Sequence, residues 1–307
     1  MRIRFQPWQL AVVLVAACVT AVGVARWARV AEPYDAARML SALPVEGATL
    51  LYIDTGLLRQ NGILDLLAGS KAAEEADYRK FVEQTGFDYR TDLDAVAASF
   101  AKGSVYVTLR GRFQWKQLTT YAETQGGECH YTVCTMRGSS LERNISFFPL
   151  KADVLALAVS PQPKAVVDIS ARQWKDAPAV SEPVWMSVPA PVFGSLDTFP
   201  SGTRSFFSPL ARAQKVTFAA GPKGDRLALR LEVTCATPEA AAELVQQLAG
   251  TTDLLKKMIE RDHLAPNPRD WSGLLVAGTF QQRQSQVIGT WPIERSFVEA
   301  LASGQVQ

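Results

Sequence analysis

Two thiols and an imidazole give this chain its one local pattern capable of chemistry: Cys129-His130-Tyr131-Thr132-Val133-Cys134. Outside the cytoplasm such a pair closes into a disulfide and staples a loop. In a reducing compartment the same side chains are small core residues of a strand. A zinc site is the weaker reading, because His130 adds only a third ligand where a closed site takes four. The spacing also differs from the C-x-x-C of redox-active pairs. Residues five apart on an extended strand face opposite ways, so a Cys129–Cys134 bridge requires a turn or bulge between them.

Other chemistry is sparse. The only histidines are His130 and His263, and no G-x-S-x-G, H-E-x-x-H, phosphate-binding or dinucleotide-binding glycine motif is present. His263 follows Arg261 and Asp262 at an expected helix end, a surface position where a cation suits the dipole. The acids Asp65, Glu74/Glu75 and Asp92/Asp94 read as solvated or capping groups, since neighbours on a helix point to different azimuths and Asp favours turns. No catalytic, cofactor-binding or metal-ligating residue is therefore assigned. Trp185, Phe193, Phe199, Phe206 and Phe207 lie among Pro189, Pro191, Pro200 and Pro209; this stretch reads either as core packing between helix and sheet or as an exposed binding lip.

Trp8 to Ala25 runs almost without polar side chains between Arg2/Arg4 and Arg26/Arg29. Three fates compete for it. A retained signal anchor would be a helix of roughly 27 Å, a marginal span with Trp8 and Trp27 at the interfaces. A cleaved signal peptide would use the small residues Gly23 and Ala25. A lipoprotein signal would lipidate Cys18, since Val15-Ala16-Ala17-Cys18 resembles a lipobox. The anchor is the favoured expectation: a single-pass cell-membrane protein, contacting the membrane through residues 8–25, with the bulk of the chain extracytoplasmic.

Formal net charge is +2 with both signs interleaved. No basic stripe forms, which argues against a nucleic-acid partner. Beyond a linker over 31–44, two α+β units are expected over 45–176 and 182–304, divided where Pro178 and Pro183 bracket a stretch without periodicity. Each alternates half-buried strands with amphipathic helices, as in the hairpins around Lys102-Gly103 and Gly221 to Asp225. Thr237-Pro238-Glu239 combines N-cap, first-turn proline and an acid at the positive dipole end. Both units close alike, Val154 to Ser160 then Pro161 and a helix, Val287 to Trp291 then Pro292 and a helix, which suggests a duplication.

Leu43-Pro44 before Leu50-Leu51-Tyr52-Ile53-Asp54, then FVEQTGFDYRTDLD over 81–94 and VYVTLRGRF over 105–113, resembles a loosely defined set of uncharacterised bacterial envelope proteins. The resemblance covers roughly residues 43–127 and implies a single-pass protein with a tandem α+β extracytoplasmic part. It carries over no functional residue. The expected architecture is thus an α+β chain with an N-terminal transmembrane helix and two similar antiparallel-sheet-plus-helix units. The expected function is noncatalytic binding or envelope assembly, with an unidentified protein or apolar ligand as partner; the alternatives are an apolar-ligand or lipid-binding module and, behind it, an envelope hydrolase.

Overall fold

A computed structural model of the chain describes residues 34–64, 76–101, 103–138, 140, 142–171, 178–194, 204–223, 226–303 and 305. Ala36–Gln307 forms one compact unit. Its first seven strands are β1 (Thr49–Ile53), β2 (Leu93–Ala101), β3 (Ser104–Gly111), β4 (Glu128–His130), β5 (Val133–Arg137), β6 (Asn144–Lys151) and β7 (Val154–Ser160). Five more follow: β8 (Val184–Val188), β9 (Lys215–Lys223), β10 (Arg226–Thr234), β11 (Thr279–Arg283) and β12 (Gln286–Ile293).

Among the described residues these 12 strands join one antiparallel sheet in the order β11-β12-β10-β9-β8-β1-β2-β3-β7-β6-β5-β4. The expected fold of two similar sheet-plus-helix units behind a membrane-spanning helix is corrected to one large sheet, covered by several helices, that runs through both halves. β1 pairs with β8 through Leu50↔Ser187 and Tyr52↔Trp185, so the two halves share a continuous sheet. The physical reason is edge pairing: each of these strands would otherwise present unpaired backbone groups at a sheet edge. Among the described residues no helix is long and apolar enough to cross a membrane. The longest, of 24 residues, carries Asp253, Lys256, Lys257 and Glu260 in its later turns. The run Trp8 to Ala25, with Cys18, lies outside the described residues, as do Asp65, Glu74, Glu75 and Phe199.

Helix α1 (Ala36–Ser41) covers one face of the first half, with Met39 and Leu40 fully buried. The floor beneath it is small-sided, Ala95, Ala97 and Thr108, and the Thr108 hydroxyl donates to the Met39 carbonyl at 3.2 Å. Next come α2 (Thr55–Gln60), α3 (Ala76–Thr85) and the short α4 (Tyr89–Asp92). On the opposite face α5 (Trp115–Thr124) buries Leu118 and Ala122 against Cys134, Phe147 and Leu155. Helix α6 (Val167–Ala171) follows β7.

The second half carries its helices on one face. Helix α7 (Arg204–Phe207), a following 3-10 turn over Ser208–Arg212, α8 (Pro238–Arg261), α9 (Trp271–Val276) and α10 (Arg295–Ala302) complete the fold. Thr237 caps α8 as its composition predicts, its Oγ1 accepting from the Ala240 N–H at 3.2 Å. Gly250 does not interrupt α8, whose interior residues Ala241, Leu244, Leu248 and Thr252 are buried toward the sheet. Burying that stripe outweighs the roughly 1 kcal/mol that glycine costs in a helix.

Two local expectations fail. Leu274 to Phe280 reads as a strand, but Leu274 to Val276 belong to α9, started by Asp270, whose carboxylate accepts from the N–H groups of Ser272 and Gly273 at 2.8 and 3.2 Å. Pro292 does not open a helix: it stands in β12 opposite Ala228, and Glu294 takes the N-cap position of α10.

Candidate functional site

Between the second-half sheet and its helices lies a hollow of about 240 Å³. Its floor is Leu229, Leu231 and Phe218; its walls come from Phe206, Phe207 and Leu210 on one side and Trp271, Leu274 and Leu275 on the other, with Leu248 of α8 above. None of the described lining residues carries a charged side chain.

Sequence explains why this space stays open. Leu229 and Leu231 project from alternate positions of β10 to the helix face, and Trp291 stands directly across from Leu229 on β12. A full-sized indole there would fill the space if it stood upright. Instead it lies back along the sheet: a Cβ added to Gly289 would sit 2.9 Å from the indole Cη2, and one added to Gly278 would sit 2.5 Å from Nε1. The ring meets Phe280 edge-on, centroids 5.3 Å apart, a favoured aromatic geometry. Two glycines thus let the largest side chain vacate the centre. Phe207 is held at the opposite rim by stacking on Phe193 at 6.1 Å and by an edge contact with Phe218 at 6.4 Å.

The hollow has an inner and an outer end. Leu210, Leu231 and Leu248 are almost wholly buried, whereas Phe207, Trp271 and Leu275 are only half-buried. Among the described residues two buried polar atoms of this layer, Trp291 Nε1 and Thr252 Oγ1, have no hydrogen-bond partner. Each costs on the order of 1–3 kcal/mol, and Nε1 faces Gly278.

The Phe/Pro stretch named from sequence therefore divides. Phe193 and Phe206 are core residues, Trp185 is buried opposite Tyr52 on β1, and Phe206 and Phe207 also line the hollow. Leu229, Leu231, Leu248, Trp271 and Trp291 escape a sequence reading, because a residue that lines a cavity carries the same alternating apolar signal as one that packs solidly.

The cysteines occupy a different place. Cys129 and Cys134 are joined by a disulfide of 2.02 Å. They sit opposite one another across the β4–β5 hairpin, and the required turn is at Tyr131, whose backbone is left-handed with φ 55°. His130 is exposed on this edge strand beside Glu128, at 3.3 Å. Cys235 is buried and free, and burial pushes its thiol pKa up, against reactivity. His263 is exposed just past α8.

The described acids serve structure. Asp94 pairs with Arg59 at 3.0 Å and Asp92 with Arg112 at 2.9 Å. Asp88 caps α4 and receives Arg90 at 2.8 Å and the Tyr78 hydroxyl at 2.9 Å. The Arg90 hydrogen bonds are the main reason that its carboxyl titrates down at about 2. Burial, then the bond to Asp88, pushes the Tyr78 phenol up to about 12.

Two other hollows are larger and polar. One of about 430 Å³ lies on the uncovered sheet face around Arg230, Arg283 and Thr290, where Arg230 is already paired with Glu232. Another of about 320 Å³ holds Ser104, Ser160, Tyr106 and Asp168. There Ser104 donates to Ser160 at 3.0 Å and Tyr106 to Asp168 at 3.4 Å, so these groups satisfy one another. Among the described residues no group of three or more His, Cys, Asp or Glu could hold a metal ion.

No family model and no curated protein matches the sequence. Among solved structures, crystal form IV of TP0453 is similar at 12% identity and a TM-score of 0.48, covering 87% of this chain and 95% of that one. Crystal form III of TP0453 gives 11% and 0.49, covering 86% and 96%. A likeness at this level assigns neither activity nor ligand.

Proposed function

We propose that the protein is a noncatalytic binding module that takes an apolar ligand, or the apolar part of an amphiphile, into the hollow between its second-half sheet and helices. One observation carries the reading: a space of about 240 Å³ lined by large aliphatic and aromatic side chains with no charge among them. Apolar hollows accept apolar guests, as an enclosed 150 Å³ example does with benzene. The hydrophobic gain from filling it needs no specific polar contact.

The proposal includes a place of action outside the cytoplasm. The Cys129–Cys134 disulfide supports it, because such bridges persist in oxidising compartments. The apolar run Trp8 to Ala25 supports it as an export signal. The partner is then a lipid-derived or other amphiphilic molecule.

Calorimetric titration with 1-decanol tests the reading. Saturable one-to-one binding by the native chain, weakened at least tenfold in Leu275→Trp, supports it. Equal binding by both proteins, or none by the native chain, counts against it.

A further inference from the structure

We infer that the hollow measures chain length and is indifferent to the head group: it takes a single alkyl chain of about ten carbons and leaves the polar end in solvent. This rests on the ligand reading above and goes beyond it in naming what is selected.

Capacity follows from volume. A 150 Å³ apolar cavity takes the six carbons of benzene, so by proportion this one holds about ten; the volume compared is 240 Å³. Orientation follows from burial. The inner end is closed by Leu210, Leu231 and Leu248, each at 2% exposure or less, while Phe207, Trp271 and Leu275 form a half-buried outer end. A guest with one polar end therefore enters tail first, since burying an unpaired polar group costs several kcal/mol in an apolar site.

Head-group indifference follows from what is missing from the lining. Among the described residues no Lys, Arg, His, Asp, Glu, Ser or Thr lines the hollow. Among the described residues the one buried side-chain donor in the lining, the Trp291 N–H, is turned against Gly278. Selection among carboxylate, hydroxyl and ammonium heads needs a placed partner group, and the described lining residues supply none.

The test is a homologous series on the native chain: hexanol, octanol, decanol, dodecanol and tetradecanol, each titrated below its aggregation limit. Affinity should climb about fourfold per methylene up to about the decyl chain and then level. Decanol, decanoate and decyltrimethylammonium should agree within about threefold. In Leu229→Phe and in Leu275→Phe, both of which narrow the space at half-buried positions, affinity should level at a shorter chain than in the native protein. A continued climb through tetradecanol, or a spread of more than about tenfold among the three heads, overturns the inference while leaving an apolar-ligand site standing. Failure of every alkanol to bind saturably overturns both.

Discussion

Filling the hollow from within should stabilise the fold while removing its binding capacity. Leu229 is half-buried on β10 and faces the space beside Trp291. An empty rigid cavity forgoes about 24 cal/mol per Å³, so a void of this size represents up to about 6 kcal/mol of missing packing; the volume used is 240 Å³. The outer end is half-open, so solvent and side-chain relaxation recover much of that ceiling. Leu229→Phe places a few more carbons where neighbours already surround a gap, and a gain of about 1 kcal/mol is expected. Urea unfolding followed by circular dichroism should show a higher midpoint at unchanged slope. Decanol binding should fall at least tenfold in the same protein. A loss of more than about 1 kcal/mol would be the signature of overpacking in a filled core and would refute the claim that the space is open.

The remaining predictions concern the frame. Reducing the Cys129–Cys134 disulfide to two thiols removes a short-loop constraint worth about 2 kcal/mol in the chain-entropy model; because β4 is an edge strand, hydrogen exchange should quicken in 128–137 and leave β9 to β12 unchanged. Gly273→Ala puts a Cβ 2.0 Å from the Asn267 carbonyl oxygen, a backbone clash that should cost about 2–4 kcal/mol and loosen α9, read by urea midpoint. Thr237→Ala removes the α8 cap and should cost about 1 kcal/mol in the same assay. Asp88 titrates at about 2 against 3.8 for the free group, so its contribution is whole above about pH 4 and disappears as pH falls through about 2. After discounting for solvent screening it is of order 1 kcal/mol, and Asp88→Asn should flatten that part of the acid stability profile.

Much of the secondary structure was legible because its signals are local. Trp115–Thr124 and Val184–Val188 fall where apolar spacing places them, and Gly103 with φ 76° turns the β2–β3 hairpin as glycine permits. What sequence concealed was long-range. Nothing in Leu50-Leu51-Tyr52 announces that its partner is Val184–Val188, because an apolar edge strand looks the same whether covered or paired. The segment Leu274 to Phe280 misleads through its continuous apolar run; Asp270, four residues earlier, is the helix signal that overrides it. The hollow depends on Gly278 and Gly289 letting one indole lie flat, a consequence of three positions separated in sequence and joined only by packing. From sequence alone, Phe206 and Phe207 pointed toward it, and their neighbours across the sheet did not.

The most direct measurement of the central claim is a crystal structure of the protein with a terminally brominated decanol, whose bromine locates the chain by anomalous scattering. The bromine is predicted inside the hollow near Leu231 and Leu248, with the hydroxyl outside beyond Phe207 and Trp271. A bromine elsewhere, on the exposed apolar side chains Leu254 and Met258 of α8 for example, with the hollow unfilled, would contradict the account.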